Sequence, residues 1–261
     1  MIQLAPGVTL VNSNFSIVLS HPTASRVILA VPHDGFIAND FAGMFQVRRS
    51  GVKGRDAHVY PIVNDIVYGA LMRGAKIDVV RFLMARAYVD ANRELPSGAN
   101  LDPDTQGQTA LDDTRLKGVY EHYHSELCRL VEQSMRMFGK ENIIFLDMHG
   151  FGKQPKIAPT EGYDLILGTG NRTTIHFGEV DRLLARFLEA RGYKVFLPAE
   201  TPAVPEGDPF SAGHTTRWYA KHYGINAIQI EIYSAFRKRE SQQQGQKLSA
   251  DLADFLSKYY K

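Results

Sequence analysis

Apolar residues along the chain gather into short runs of strand type, and these alternate with longer stretches whose apolar positions recur at helical spacing. "VTLVN" and "FSIVLS" read as a strand pair turning at Asn12-Ser13-Asn14. Val27-Ile28-Leu29-Ala30-Val31 reads as a buried strand stopped by Pro32-His33-Asp34-Gly35. A helix is predicted from Tyr60 to Arg73, with Pro61 in its first turn and Gly74 as its stop. "IDVVRFLMA" resumes strand character, and "AYVDANRE" follows it. Residues 94–113 are rich in Pro, Gly, Asp and Asn and read as a long loop, the kind that in compact domains serves as a functional lid or stays disordered. A helix from Thr114 to Phe138, ended by Gly139, leads into two strands, "NIIFLDMHG" and "YDLILGTG". "GEVDRLLARFLEARG" is an amphipathic helix ended by Gly192, "YKVFLP" a strand, "GHTTRWYAKHYG" a short helix and "INAIQIEI" a strand; Gln246 to Tyr260 form a terminal helix. This alternation predicts an α/β fold, with a mostly parallel or mixed central sheet and helices on both faces. With no internal repeat and no convincing linker, residues 1–261 are expected to form a single domain.

Composition narrows the class without choosing the chemistry. A hydrophobic content of 44% and a charged content of 22% are ordinary for a globular protein. A net charge of +2 gives no reason to expect nucleic acid or a membrane surface as a partner. The start, "MIQLAPGVTL", lacks the basic flank and apolar core of a signal peptide, and no run approaches the roughly 20 apolar residues of a membrane span. A soluble, cytoplasmic protein is expected. Cys128 is the only cysteine, which excludes a disulfide within the chain and a cysteine-type zinc site. "ILGTGN" carries too few glycines for a phosphate-binding fingerprint.

Candidate chemistry sits at the ends of the apolar runs. "VILAV" leads to His33 and Asp34, "IIFLD" to Asp147 and His149, and "AIQIEI" holds Glu231 within an apolar strand. A buried lone carboxylate is costly unless it is paired, protonated or bound to metal. The carboxyl ends of strands are also where open α/β sheets place their sites. Two imidazoles and a carboxylate suit zinc with an open position for water, and a further carboxylate is then needed to take the water's proton. Arg93 beside Asn92 can present a planar fork and an amide to a carboxylate. Arg217 lies in the helix before the Glu231 strand, and Asp56 and His58 sit where the first helix would be capped.

Six short motifs, in order over about 200 residues, resemble the N-formylglutamate amidohydrolase family: "PHDG", "RDAHV", "DANRE", "LDMHG", "GHTTR" and "IQIEI". "HYHSEL", with His124, is similar to that family's Tyr-His helix segment. The family is similar in fold to zinc carboxypeptidases and aspartoacylases, so the resemblance implies a zinc-exopeptidase (phosphorylase/hydrolase-like) type of sheet. It implies His33, Asp56 and His149 as ligands of one Zn2+ per chain, with another divalent metal possible and Asp34 or His58 as alternative third ligands. Asn92, Arg93 and Arg217 would hold substrate carboxylates, and Glu231 would be the general base. His124 and His214 are further candidates. The implied reaction is hydrolysis of the N-acyl amide of an acidic amino acid, N-formyl-L-glutamate plus water giving formate and L-glutamate. The alternatives are a deacylase of another N-acyl amino acid, a γ-glutamyl or carboxypeptidase-type hydrolase, or a non-catalytic protein that binds acidic amino acids. Three positions depart from the family pattern: Asp34 where Ser or Ala is expected, Gly150 in place of Ser, and His214 in place of Gly. The His-x-x-Glu spacing of carboxypeptidases is absent, since Phe36 stands at its last position.

Overall fold

The computed structural model describes residues 9–13, 15–21, 23–38, 43–95, 109–152, 162–197 and 210–261. Eight strands form one sheet: β1 (Thr9–Ser13), β2 (Ser16–Ser20), β3 (Val27–Val31), β4 (Asp78–Phe82), β5 (Ile144–Phe151), β6 (Leu165–Gly168), β7 (Val195–Phe196) and β8 (Asn226–Tyr233). Five α-helices are described: α1 (Val59–Met72), α2 (Lys117–Phe138), α3 (Val180–Glu189), α4 (His214–Tyr223) and α5 (Gln242–Tyr259).

The sheet runs β1-β2-β4-β3-β5-β8-β6-β7. Its centre, β4-β3-β5-β8, is parallel. The β1–β2 hairpin joins antiparallel to β4, while β6 returns antiparallel to β8 with β7 parallel beside it. The sheet is therefore mixed, and its parallel pairs, those of the centre and β6–β7, are the ones that need crossover connections.

Strand alternation sorts the side chains into two cores. Val27, Leu29 and Val31 of β3 pack with α1, α3 and α5, while Ile28 and Ala30 pack with α2 and α4. Helices thus cover both faces, as the alternating pattern requires.

Element ends follow local chemistry. Asp34 Oδ2 accepts from the Tyr60 amide at 2.7 Å, so a side chain from the β3 turn satisfies a free N–H in the first turn of α1. Helix α4 stops at Gly224, whose φ of 63° is the left-handed conformation that ends helices. Two boundaries differ from the sequence reading. The β1–β2 ladder continues to Ser13 and Ser16, so Asn12 and Ser13, read as turn residues, belong to β1. Helix α5 begins at Gln242, four residues before Gln246. Gly245 lies in its first turns, where a Cβ would lie 2.6 Å from the Phe236 carbonyl oxygen. Most of the loop expected over 94–113, and its reading as a lid, lies outside the described residues. Among the described residues no helix is long and apolar enough to cross a membrane.

Candidate active site

The parallel centre of the sheet delivers the polar residues to one place. On β5, Ile144, Leu146 and Met148 fill the core beneath α1, α3 and α5; alternation turns Asp147 and His149 to the other face. On β8, Ile228, Ile230 and Ile232 do the same and leave Gln229 and Glu231 on the other face. The register pairs Asp147 with Gln229 and His149 with Glu231. His33 stands just past the end of β3, the other neighbour of β5. Asp56 arrives from the segment before α1 and is fixed there by its own amide, which donates to the His33 carbonyl at 3.0 Å. The Gly150 amide donates to Asp56 Oδ2 at 3.3 Å.

His33, Asp56 and His149 each offer a ligand atom within 4.8 Å of the others. His33 Nδ1 lies 3.4 Å and His149 Nδ1 3.2 Å from the same oxygen, Asp56 Oδ2. The two rings meet edge to face with centroids 4.7 Å apart. Their far nitrogens are both backed by carboxylates: His33 Nε2 by Asp90 Oδ1 at 2.6 Å, and His149 Nε2 by Asp147 Oδ1 at 3.0 Å. His33 Nδ1 is buried without a hydrogen bond. Two imidazoles that face one carboxylate through Nδ1 and are oriented by carboxylates through Nε2 have the arrangement of metal-ligating histidines. Three such ligands with an open fourth position suit a catalytic zinc. These residues fit the metal.

The surrounding charges are paired. Asp90 Oδ2 receives Arg86 Nε at 2.8 Å and faces Arg48 Nη1 at 3.3 Å. Burial pushes the Asp90 carboxyl up, but the Arg86 charge and His33 outweigh it and hold it well below the usual carboxylate range. Asp56 behaves alike: burial raises it, and the adjacent His149 and His33 bring it below its ordinary value. Burial lowers His149, yet Asp147 and Asp56 leave it raised well above 6.5. Glu231 is the exception among the carboxylates. Burial pushes it up to about 7, with the Asp56 charge adding to the rise and His149 opposing it. Gln229 Nε2 donates to Glu231 Oε1 at 2.7 Å, while Gln229 Oε1 accepts from the Gly213 amide.

Asn92, Arg93, His214 and Arg217 line the same cavity of about 710 Å3. Asn92 is held by its neighbours: Oδ1 accepts from the Thr215 amide at 2.8 Å, and Nδ2 lies 3.3 Å from His149 Nε2. Gly213 admits this packing, since a Cβ there would lie 2.2 Å from Asn92 Nδ2. Arg93 and Arg217 are half-buried, and Arg93 Nη1 donates to the Asn92 carbonyl at 2.7 Å. Of the remaining candidates, Asp34 and His124 do not line the cavity. Asp34 is fully buried, committed to the α1 amide and to Arg55 Nε at 2.6 Å. His58 does line the cavity, but as an exposed residue with a left-handed φ of 66° immediately before α1, outside the His33–Asp56–His149 cluster. His124 sits behind Asn92 with Nε2 3.0 Å from the Ala91 carbonyl oxygen. Burial lowers its pKa to about 3, so the ring is neutral.

Asp90, Asp147, Arg86 and Gln229 do structural work that the chemistry of single residues does not announce. The available signal was spacing. Asp147 stands two residues before His149 and Gln229 two before Glu231, each pair on one strand face.

The family model for N-formylglutamate amidohydrolase matches residues 25–236. Among solved structures, the chain is similar to N-formylglutamate amidohydrolase from Ralstonia eutropha JMP134, with a TM-score of 0.64 and 20% identity over 94% of this chain and 98% of that one. It is also similar to a gene product from Agrobacterium tumefaciens, with a TM-score of 0.61 and 15% identity over 95% of this chain and 93% of that one. No curated protein matches the chain.

Proposed function

We propose, since the chain belongs to the N-formylglutamate amidohydrolase family, that it is a zinc-dependent amidohydrolase cleaving the N-acyl amide of an acidic amino acid, with N-formyl-L-glutamate and water giving formate and L-glutamate. Family membership makes the chain a hydrolase of N-acyl amino acids; the metal, the substrate and the residue roles are our reading. The observation that carries it is the meeting of His33 and His149 on Asp56 with Glu231 in register beside His149.

His33, Asp56 and His149 would hold the zinc, which when bound supplies Lewis acidity that polarises the amide carbonyl and acidifies water. Glu231 takes the proton of the attacking water on its carboxylate and returns it to the leaving nitrogen, so one group serves as base and then as acid. A carboxyl raised to about 7 is suited to both halves of that exchange at neutral pH. Gln229 orients it through the hydrogen bond to Oε1. Arg93 and Arg217 anchor the two carboxylates of the substrate as bidentate pairs, with Asn92 between Arg93 and His149. Asp90 and Asp147 keep the two imidazoles turned with Nδ1 inward.

The size of the cavity favours a second reading, a deacylase of a bulkier N-acyl amino acid. Its volume of about 710 Å3 falls in the range of about 300–1,000 Å3 that accepts drug-sized ligands. Formate release from N-formyl-L-glutamate, measured before chelation, after chelation and after zinc return, tests the proposal. Release that chelation abolishes and zinc restores is the expected result. A zinc-loaded protein that releases no formate but cleaves N-acetyl- or longer N-acyl-glutamates passes the substrate to the second reading. A zinc-loaded protein inert towards all of them overturns both.

A further inference from the structure

The segments that carry Asp56, His149 and Glu231 meet at one guanidinium. Arg237 lies just past β8, is buried, and donates from each of its three nitrogens to a different backbone carbonyl. Nε reaches Ile232 at 3.1 Å, Nη2 reaches Phe151 at 3.0 Å, and Nη1 reaches Ala57. Ile232 follows Glu231, Ala57 follows Asp56, and Phe151 lies two residues beyond His149. One rigid fork therefore ties the ends of two strands to the segment that brings in the acidic ligand candidate.

Gly150 is shaped to this arrangement. A Cβ at that position would lie 2.4 Å from Arg237 Cζ, 2.5 Å from Nε and 2.7 Å from Nη2. Its φ is not in the left-handed region, so the backbone itself accepts alanine. What glycine provides is room, and Arg237 can yield that room only by leaving its carbonyl partners. The absence of the side chain expected after His149 thus has a physical counterpart in the guanidinium that fills the space.

We infer that Arg237 is a positioning residue for the metal-binding cluster, holding Asp56, His149 and Glu231 in mutual register, and that Gly150 is glycine in order to admit it. The inference rests on the metal site proposed above. Arginine suits the task because its donors are fixed in a plane and its charge strengthens each bond to a carbonyl; an ammonium cannot point at three separated acceptors in the same way.

The test is the zinc affinity of the metal-free full-length protein, measured by competition with a chromophoric chelator, with a urea unfolding midpoint taken for each variant. Arg237→Ala is expected to weaken zinc binding about 10- to 100-fold, the usual cost of losing groups that orient metal ligands. Arg237→Lys should not restore it. Gly150→Ala should weaken zinc to a similar degree while retaining every donor and acceptor. The double variant should bind no more weakly than Arg237→Ala, because the group that the new methyl would strike is gone. A wild-type zinc affinity in Arg237→Ala, with only the urea midpoint lowered, overturns the inference. Additive losses in the double variant overturn the role given to Gly150. Should Arg237→Ala fail to fold, Gly150→Ala decides the matter alone: undiminished zinc affinity there overturns the inference. A wild-type protein that binds no zinc fails the proposed function itself, whereas zinc-binding wild type with zinc-binding variants fails only this inference.

Discussion

On β5 and β8 the residues facing α1, α3 and α5 are Ile144, Leu146, Met148, Ile228, Ile230 and Ile232, apolar from end to end. Those facing α2 and α4 begin as Phe145 and Ala227 and become Asp147, His149, Gln229 and Glu231 towards the carboxyl ends. Both sets are buried. The difference teaches how a buried sheet accommodates a site: the polar residues are confined to one face and one end, and the charged ones among them are nearly all partnered. Asp147 faces His149, Asp90 faces both His33 and Arg86, and Asp56 faces both histidines. The opposite face supplies uninterrupted apolar burial, worth about 25 cal/mol per Å2, against which those desolvated charges are set.

The sharpest way to break the comparison is at the carboxyl group that departs furthest from ordinary behaviour. Glu231→Gln keeps the shape and the hydrogen bond to Gln229 but cannot accept a proton. We expect kcat to fall by about 10²- to 10⁴-fold with the zinc content unchanged, read from steady-state rates and metal analysis. An unchanged kcat removes Glu231 from proton transfer. Next in size is Arg93→Ala, which should raise KM about 10- to 150-fold, the range for a lost hydrogen bond to a charged group, with a smaller change in kcat. A KM near wild type would assign the substrate carboxylate to other donors. Asp147→Asn tests the carboxylate behind His149. Zinc affinity should drop about 10- to 100-fold, because the amide holds the His149 ring without supporting its basicity. Equal affinity in wild type and variant would leave Asp147 as a packing residue only.

Much of the first comparison could be read from the chain itself. Apolar runs ending in His33, Asp147 and His149, and an acid within "AIQIEI", mark strand ends that have a task other than packing. Helices and strands were legible for the same reason: their periods of 3.6 and 2.0 are local properties. What periodicity cannot carry is pairing across the fold. Asp90 stands 57 residues from its partner His33, and Arg237 stands 180 residues from Ala57. Neither link has a local pattern. Nor does the antiparallel return of β6 against β8, since both strands are apolar runs in either direction. Asp34 and Asp56 illustrate the limit. Both are acids near the β3 turn, and only the folded chain shows one satisfying the α1 amide while the other faces two imidazoles.

His124 sharpens the contrast between histidines that have carboxylate partners and one that has none in its immediate contacts. It is enclosed by the rings of Tyr120, Tyr123 and Tyr219, and burial lowers its pKa to about 3 from an ordinary 6.5. A folded pKa below the unfolded one means that the unfolded chain binds more protons between those values. Its contribution to stability is therefore full above about pH 6.5 and is lost progressively as pH falls towards 3. Urea midpoints at pH 7 and pH 5 should fall further in wild type than in His124→Asn. Equal falls in the two proteins would mean that the buried ring keeps its proton on folding at pH 5 without cost.

The smallest effect is the one that isolates the apolar face. Ile228 is fully buried, stands opposite Leu146 in the ladder, and is next in the chain to Gln229, which faces the site. Ile228→Val removes one methylene and should lower stability by about 0.5–1.5 kcal/mol, seen as a lower urea midpoint with an unchanged slope. Zinc affinity and kcat should stay at wild-type values, because the strand backbone between the two faces is held by its ladder to β5 and β6. If zinc affinity falls together with stability, the two faces do not act separately: packing under the sheet would then be setting the distance between His149 and Glu231, and the apolar core would belong to the site as much as the residues that line it.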